Sequence, residues 1–160
     1  MPKDTGVPTP GIEGPNIVTG NINGPLPDMV NSPYHYTHGG KECIDWIESL
    51  KLGYSDGNAF KYLYRHNYKG KPIEDLKKAV WYMTRYSKRL ESYGFIRREW
   101  FKLRSVNIQN KIWDLSESLK LSGWAYDALR LFIKSKSIMD VGYLYMAIDS
   151  LECEIERLER

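Results

Sequence analysis

The chain has 160 residues, of which 42% are hydrophobic, and a formal net charge of +3. This composition supports one globular domain and excludes wholesale disorder. No apolar run approaches the roughly 18 residues of a membrane span, and no apolar signal segment follows Met1, so we expect a cytoplasmic protein without a membrane partner. Cys43 and Cys153 lack metal-site spacing, which predicts reduced thiols.

Three segments follow one another along the chain. Residues 1–33 hold seven of the eight prolines and predict a Pro/Gly-rich tail or extended arm. Apolar residues such as Ile17 leave open that this arm packs on a neighbouring subunit. Residues 34–93 predict a compact helical core, and residues 94–160 predict a C-terminal helical extension packed on the core or at an oligomer interface.

Apolar residues recur at helical spacing in three places within the predicted core. The first helix is predicted from 42 to 50, and the second runs from about Asn58 to Asn67 after a turn at residues 52–57. The third begins near Ile73, beyond the turn Lys69–Pro72, and its apolar stripe ends at Gly94. Only residues 17–19 look strand-like, so we predict an all-α fold.

The chain beyond Gly94 also has helical periodicity, from Ile108 to Leu119 and from Trp124 to Ile133. A last helix shows a seam with alternating steps of three and four residues: Val141, Leu144, Ile148, Leu151, Ile155 and Leu158. Such a seam needs a partner surface, and we predict a homo-oligomer because acidic residues on this helix would meet the basic middle of a neighbour. Docking within the same chain, for example on the helix from Ile108 to Leu119, is the alternative.

The second predicted helix presents Asn58, Lys61, Tyr62 and Arg65 on one face. An ammonium and a guanidinium side by side match the oxygens of a phosphate. The simpler interpretation is a solvated polar face. Residues 34–91 carry eleven basic against seven acidic residues, and this local surplus favours a phosphate-bearing partner.

Groups from two neighbouring segments are expected beside this face. The third helix carries Asp75 and Lys78 at similar spacing, and the connecting turn carries Lys69 and Lys71. A helical hairpin would bring all four next to the second helix. His35 lies in the loop before the first helix, where it would contact substrate or pack within the loop.

The first predicted helix opens with Glu42 and Asp45, which would share one face three residues apart. Two carboxylates in this arrangement predict a site for a hydrated Mg²⁺ ion between protein and phosphate. Carboxylates at a helix start also simply complement the helix dipole. Both interpretations stay open on the sequence alone.

The chain contains no phosphate-loop motif and no G-x-G-x-x-G, which excludes a standard nucleotide-kinase fold. Four blocks at residues 32–36, 42–47, 57–65 and 74–82 nevertheless resemble, in order and spacing, the phage nucleotide kinase-like family. The resemblance implies phosphoryl transfer from ATP or another nucleoside triphosphate to a deoxynucleoside monophosphate with Mg²⁺. It also implies that the cytoplasm is that of an infected host.

The resemblance carries over onto this chain position by position. It implies catalytic roles for Lys61, Arg65, Asp75 and Lys78, substrate contacts from His35, Tyr36, Asn58 and Tyr62, and metal binding by Glu42 and Asp45. Substrate contacts from Lys69 and Lys71 are predicted from their place in the turn beside the second helix. One alternative is a non-catalytic protein that binds or sequesters a nucleotide or a host defence signal. Another is a binder of single-stranded nucleic acid through residues 61–65, which the small net charge disfavours.

Overall fold

The computed structural model describes residues 30–37, 41–93, 115, 119, 121 and 123–160. Within them five α-helices follow a short 3₁₀ helix at Tyr34–Tyr36, and no strand occurs. The helices are α1 (Cys43–Ser49), α2 (Tyr54–Arg65), α3 (Pro72–Glu91), α4 (Gly123–Ile138) and α5 (Val141–Glu159). The prediction of an all-α fold is thereby confirmed. None of the helices in this part of the chain is long and apolar enough to cross a membrane.

Two predictions lie outside the described residues. The Pro/Gly-rich arm is one of them. The helix predicted from Ile108 to Leu119 is the other, apart from Leu115 and Leu119, whose side chains are fully buried. Cys43 and Cys153 form no disulfide within the described chain, as predicted.

Helix α2 begins earlier than the sequence predicted, at Tyr54 rather than Asn58. The predicted turn depended on Gly53 and Gly57, but Gly57 lies in the first turn of the helix. A Cβ atom at residue 57 would lie 3.4 Å from a methyl carbon of Ile47. Gly57 therefore lies inside the helix and against α1, where an added Cβ would reach van der Waals contact, instead of ending a helix.

Helix α3 is the centre of the fold because it packs against α2 on one side and α5 on the other. It starts with Pro72 at its first position, after Gly70 adopts a φ of 73° in the connecting turn. Its stripe of Leu76, Ala79, Met83, Tyr86 and Leu90 is almost entirely inaccessible to solvent. The stripe predicted from the sequence is thus the core face, and the helix ends at Glu91.

Helices α4 and α5 form a second hairpin that closes the core over α3. Asp140 caps α5 by accepting a hydrogen bond of 2.7 Å from the backbone N–H of Gly142. Phe132 of α4 contacts the ring of Tyr86 edge-on, with 6.5 Å between ring centroids. The bundle therefore has one continuous interior shared by α2, α3, α4 and α5.

The apolar seam of α5 is covered within its own chain. Leu144 and Leu151 are fully buried against this core, and the remaining seam residues are buried or half-buried. Glu159 at the end of α5 forms an ion pair within the same chain, with 2.6 Å between its Oε1 and Lys77 Nζ. Helices α3 and α4 of the same chain therefore cover the seam, so the seam does not indicate an oligomer interface.

Candidate functional site

A buried ion pair between α2 and α3 organises the predicted site. Arg65 donates from Nε to Asp75 Oδ2 at 2.8 Å and from Nη2 to Asp75 Oδ1 at 3.0 Å. The two side chains are only 8% and 3% exposed. A planar guanidinium forms such a bidentate bond with fixed geometry, so this pair locks the two helices in register.

The remaining nitrogen of Arg65 is also engaged, because Nη1 donates a hydrogen bond to the hydroxyl of Tyr36. The guanidinium lies over the ring of Tyr62, 4.7 Å from its centroid. Hydrogen bonding to Asp75 helps to raise the pKa of Arg65 although burial opposes it, so its charge is permanent. This arrangement favours a positioning role for Arg65 and Asp75, and their catalytic roles stay a prediction.

Lys61 has a different environment from Arg65. Its Nζ donates to the amide oxygen of Asn58 at 2.7 Å, and Asn58 in turn donates to the backbone carbonyl of Tyr54 at 2.7 Å. Within the described residues Lys61 has no carboxylate in salt-bridge contact. Burial and then the positive charge of Arg65 lower the pKa of Lys61. The ammonium group is thus held by a neutral partner beside another cation.

The lysines predicted in the turn and on α3 lie around the same face. The exposed carboxylate of Glu74 forms ion pairs with two of these lysines, Lys78 and, at 3.5 Å, Lys71. Lys78 Nζ lies 5.7 Å from the ring centroid of Tyr62. The charge of Lys69 contributes to lowering the pKa of both His35 and Lys61, after burial.

Aromatic rings form one side of this region. Tyr62 stacks on Tyr82 of α3 with 5.7 Å between ring centroids and an interplanar angle of 19°. His35 lies 4.4 Å from the ring of Tyr36, and its buried Nδ1 has no hydrogen-bond partner. Burial, followed by the charges of Lys69 and Arg65, lowers the pKa of His35, so the imidazole is neutral at pH 7.

We call this region the cationic site. It comprises His35, Tyr36, Asn58, Lys61, Tyr62, Arg65, Lys69, Lys71, Glu74, Asp75 and Lys78. The structure thus brings together ten of the twelve residues predicted from the sequence and adds Glu74. The remaining two, Glu42 and Asp45, are engaged in other contacts.

Glu42 and Asp45 form a capping box at the start of α1. Asp45 Oδ2 accepts the backbone N–H of Glu42 at 3.0 Å, and Glu42 Oε1 accepts the hydroxyl of Ser32 at 3.0 Å. Among the described residues no group of three His, Cys, Asp or Glu side chains is placed to hold a metal ion. These contacts fit helix capping better than a magnesium site, and the Mg²⁺ assignment stays a prediction.

Replacing Asp45 with alanine tests the capping role. We expect the free energy of unfolding to fall by about 1 kcal/mol, because the substitution leaves the N–H of Glu42 without its acceptor. Urea denaturation with and without Mg²⁺ is the measurement, and the loss should be the same in both. A loss that appears only with Mg²⁺ present would assign Asp45 to the metal instead.

One buried carboxylate, Asp56, has no signal in the sequence that predicts its role. Asp56 in the first turn of α2 is fully buried and pairs with Arg89 at 3.1 Å and with Lys136 at 2.6 Å. Its partners lie 33 and 80 residues away along the chain. The sequence offers no periodic signal for contacts this distant and predicts only a turn at Asp56. The three residues tie α2, α3 and α4 together.

The thiol closest to the cationic site is Cys43 at the start of α1. Burial raises its pKa to about 12, so the thiol stays protonated at neutral pH. The neighbouring charges of Lys61 and Arg65 lower the pKa but do not offset burial. Cys43 is buried and belongs to the hydrophobic core, which gives it a packing role.

Comparison with known proteins bears on the same part of the chain. Residues 30–84 match DUF3310, a family described as proteins of unknown function. The matched range contains the whole cationic site, together with α1, α2 and α3 as far as Thr84. No curated protein matches the chain, and no solved structure does either.

Proposed function

We propose that this protein binds a nucleotide, with its phosphate at the cationic site. The observation that carries the proposal is Lys61, a partly buried cation whose hydrogen bond goes to the neutral amide of Asn58. Its pKa is lowered by burial and by nearby Arg65, which means that an anion there would stabilise the charged form. A phosphate supplies such an anion.

The charge balance of the cationic site supports the same conclusion. Five cations, Lys61, Arg65, Lys69, Lys71 and Lys78, face the two carboxylates Glu74 and Asp75. Both carboxylates are already paired with cations of the site. The surplus therefore favours a ligand with two or more negative charges, such as a phosphate monoester.

The aromatic side of the site suits a base. Tyr82 is the ring on which a base would stack, because the ring of Tyr62 already contacts Tyr82 and the guanidinium of Arg65. Aromatic rings stack on nucleobases without strong base preference. Neutral His35 offers a buried ring nitrogen that has no hydrogen-bond partner. We infer that these groups contact the base or sugar while the lysines hold the phosphate.

Phosphoryl transfer from ATP to a deoxynucleoside monophosphate is the catalytic form of this proposal, and the family resemblance favours it. Such a reaction depends on positioning and charge neutralisation, to which Lys61, Lys69 and Lys78 contribute. Mg²⁺ would neutralise phosphate charge when bound with the nucleotides. Incubation with each monophosphate, ATP and Mg²⁺ should yield a diphosphate. Binding without product would support the sequestering protein instead, and both activities belong in the cytoplasm.

A single-stranded nucleic-acid binder is less well supported. That hypothesis needs residues 61–65 on one accessible surface, but Leu63 is fully buried and Tyr64 and Arg65 are nearly so. Consecutive residues of a helix point in different directions, so the alternation of basic and aromatic residues does not form a track.

Replacing Lys61 with alanine should weaken nucleotide binding by roughly 1.5 to 3 kcal/mol, the range for a lost hydrogen bond to a charged group. The fold should be retained, because Lys61 is partly exposed and forms no ion pair within the described residues. Calorimetric titration is the measurement. The matched control is Arg130→Ala, an exposed cation on α4. Equal affinities in both variants would mean that Lys61 belongs to a merely solvated face.

A further inference from the structure

An open groove runs along the outer surface of α3 and α5, apart from the cationic site. One part, of about 400 Å³, is lined by Lys77, Val80, Trp81, Thr84, Arg85 and Lys88. An adjoining part, of about 300 Å³, shares Lys77 and Val80 and adds Glu152, Ile155 and Glu156 of α5. The groove thus has a basic wall on α3 and an acidic wall on α5.

Two residues that line this groove, Trp81 and Arg85, are of the types enriched in protein–protein interfaces. Trp81 is 57% exposed, and the guanidinium of Arg85 lies 5.8 Å from its ring. An exposed tryptophan flanked by arginine is the composition enriched where protein interfaces bind most tightly.

The two charged walls face solvent without neutralising each other. Arg85, Lys88, Glu152 and Glu156 are all exposed, and none has an ion pair within the described residues. In contrast, Lys77 at the end of the groove is already paired with Glu159 at 2.6 Å.

Helices α3 and α5 run antiparallel, so two contacts between them fix which residues of the two walls lie at the same position along the helix axes. Lys77 near the start of α3 meets Glu159 at the end of α5, and Glu91 at the end of α3 accepts a hydrogen bond of 2.6 Å from Tyr145 near the start of α5. Counting inward from both contacts places Glu152 within about one residue of the height of Arg85, or about 1.5 Å along the axis. A basic and an acidic group thus stand level on adjacent helices.

We propose that this groove is the interface of a two-fold symmetric homodimer. A two-fold axis parallel to the helices lays α3 of one copy on α5 of the other at equal height. Arg85 of each copy then meets Glu152 of the second copy, and both Trp81 rings are buried. The contact is self-complementary because one surface carries both walls. This inference does not depend on nucleotide binding.

The occupant is a second copy and not a nucleic acid, because the acidic wall would repel a phosphate backbone along half of the groove. The groove also gives an oligomer an accessible surface, which the buried seam of α5 does not. Sedimentation equilibrium of the wild-type protein at several concentrations should show a dimer, whose dissociation constant rises with salt.

Two charge-reversed variants test the pairing. Arg85→Glu with Lys88→Glu makes both walls acidic, and Glu152→Lys with Glu156→Lys makes both basic. Each variant alone should dissociate at least about tenfold more readily than the wild type, whereas an equimolar mixture should form a dimer again. The control is Arg130→Glu on α4, with circular dichroism confirming that all variants fold.

Three outcomes would overturn the proposal. The first is a wild-type protein that is monomeric at every concentration. In the second, variants of both kinds stay dimeric, which would place the interface elsewhere. In the third, a monomeric wild type binds an oligonucleotide and loses that binding in Arg85→Glu with Lys88→Glu, which would make the groove a nucleic-acid surface.

Discussion

Replacing Asp75 with alanine is expected to lower the free energy of unfolding by about 3 to 5 kcal/mol. The substitution leaves the guanidinium of Arg65 buried between α2 and α3 without the carboxylate that holds it by two hydrogen bonds. Leaving one charge buried without its partner costs far more free energy than the intact ion pair contributes to stability. The hydroxyl of Tyr36 remains as one acceptor but carries no charge.

Urea denaturation monitored by circular dichroism measures this effect. The matched control is Glu74→Ala, the preceding carboxylate of the same helix, which pairs with Lys78 and Lys71 in solvent. Exposed pairs contribute little, so we expect a change below about 1 kcal/mol there. Similar small losses in both variants would contradict the structural role assigned to Asp75. In that case its predicted catalytic role would gain weight.

Replacing Asp56 with alanine should cost about 3 kcal/mol, at the lower end of the range for breaking a buried ion pair. Asp56 is fully buried, but Arg89 and Lys136 are 40% and 19% exposed and are able to turn towards water once the carboxylate is gone. The loss therefore comes from the contact that joins three helices.

Thermal and urea unfolding of Asp56→Ala are best compared with those of Asp127→Ala. Asp127 on α4 also pairs with an arginine, at 3.4 Å from Arg130, but both partners are more than 40% exposed. We expect a change of about 0.5 kcal/mol or less in the control. If the two variants lose equal stability, the Asp56 network does not hold the helices together.

The sequence predicted the fold well where periodicity and burial coincide. The apolar stripe of α3 recurs every three or four residues, and those residues form the core. The sequence-based prediction failed at the start of α2, where Gly57 looks like a turn signal but lies in the first turn of the helix, close to Ile47. In sequence, a glycine inside a helix looks the same as one that permits a turn.

The same limit applies to the candidate site. Local spacing along α2 was enough to identify Lys61 and Asn58, which lie three residues apart and hydrogen-bond directly. It did not reveal that Arg65 and Asp75 bind each other, because that contact spans the Gly70 turn between two helices. Glu42 and Asp45 lie three residues apart, and this spacing is the same in a capping box and in a carboxylate pair that binds Mg²⁺. The sequence alone therefore does not distinguish the two.

Calorimetric titration with a deoxynucleoside monophosphate and with the matching nucleoside tests the central claim most directly, because the two ligands differ only in the phosphate. We expect the monophosphate to bind at least about tenfold more tightly, with an affinity that falls as salt rises. The Lys61→Ala variant should lose most of that difference. Equal affinities for the two ligands, or no binding of either, would contradict the assignment of the cationic site to a nucleotide phosphate.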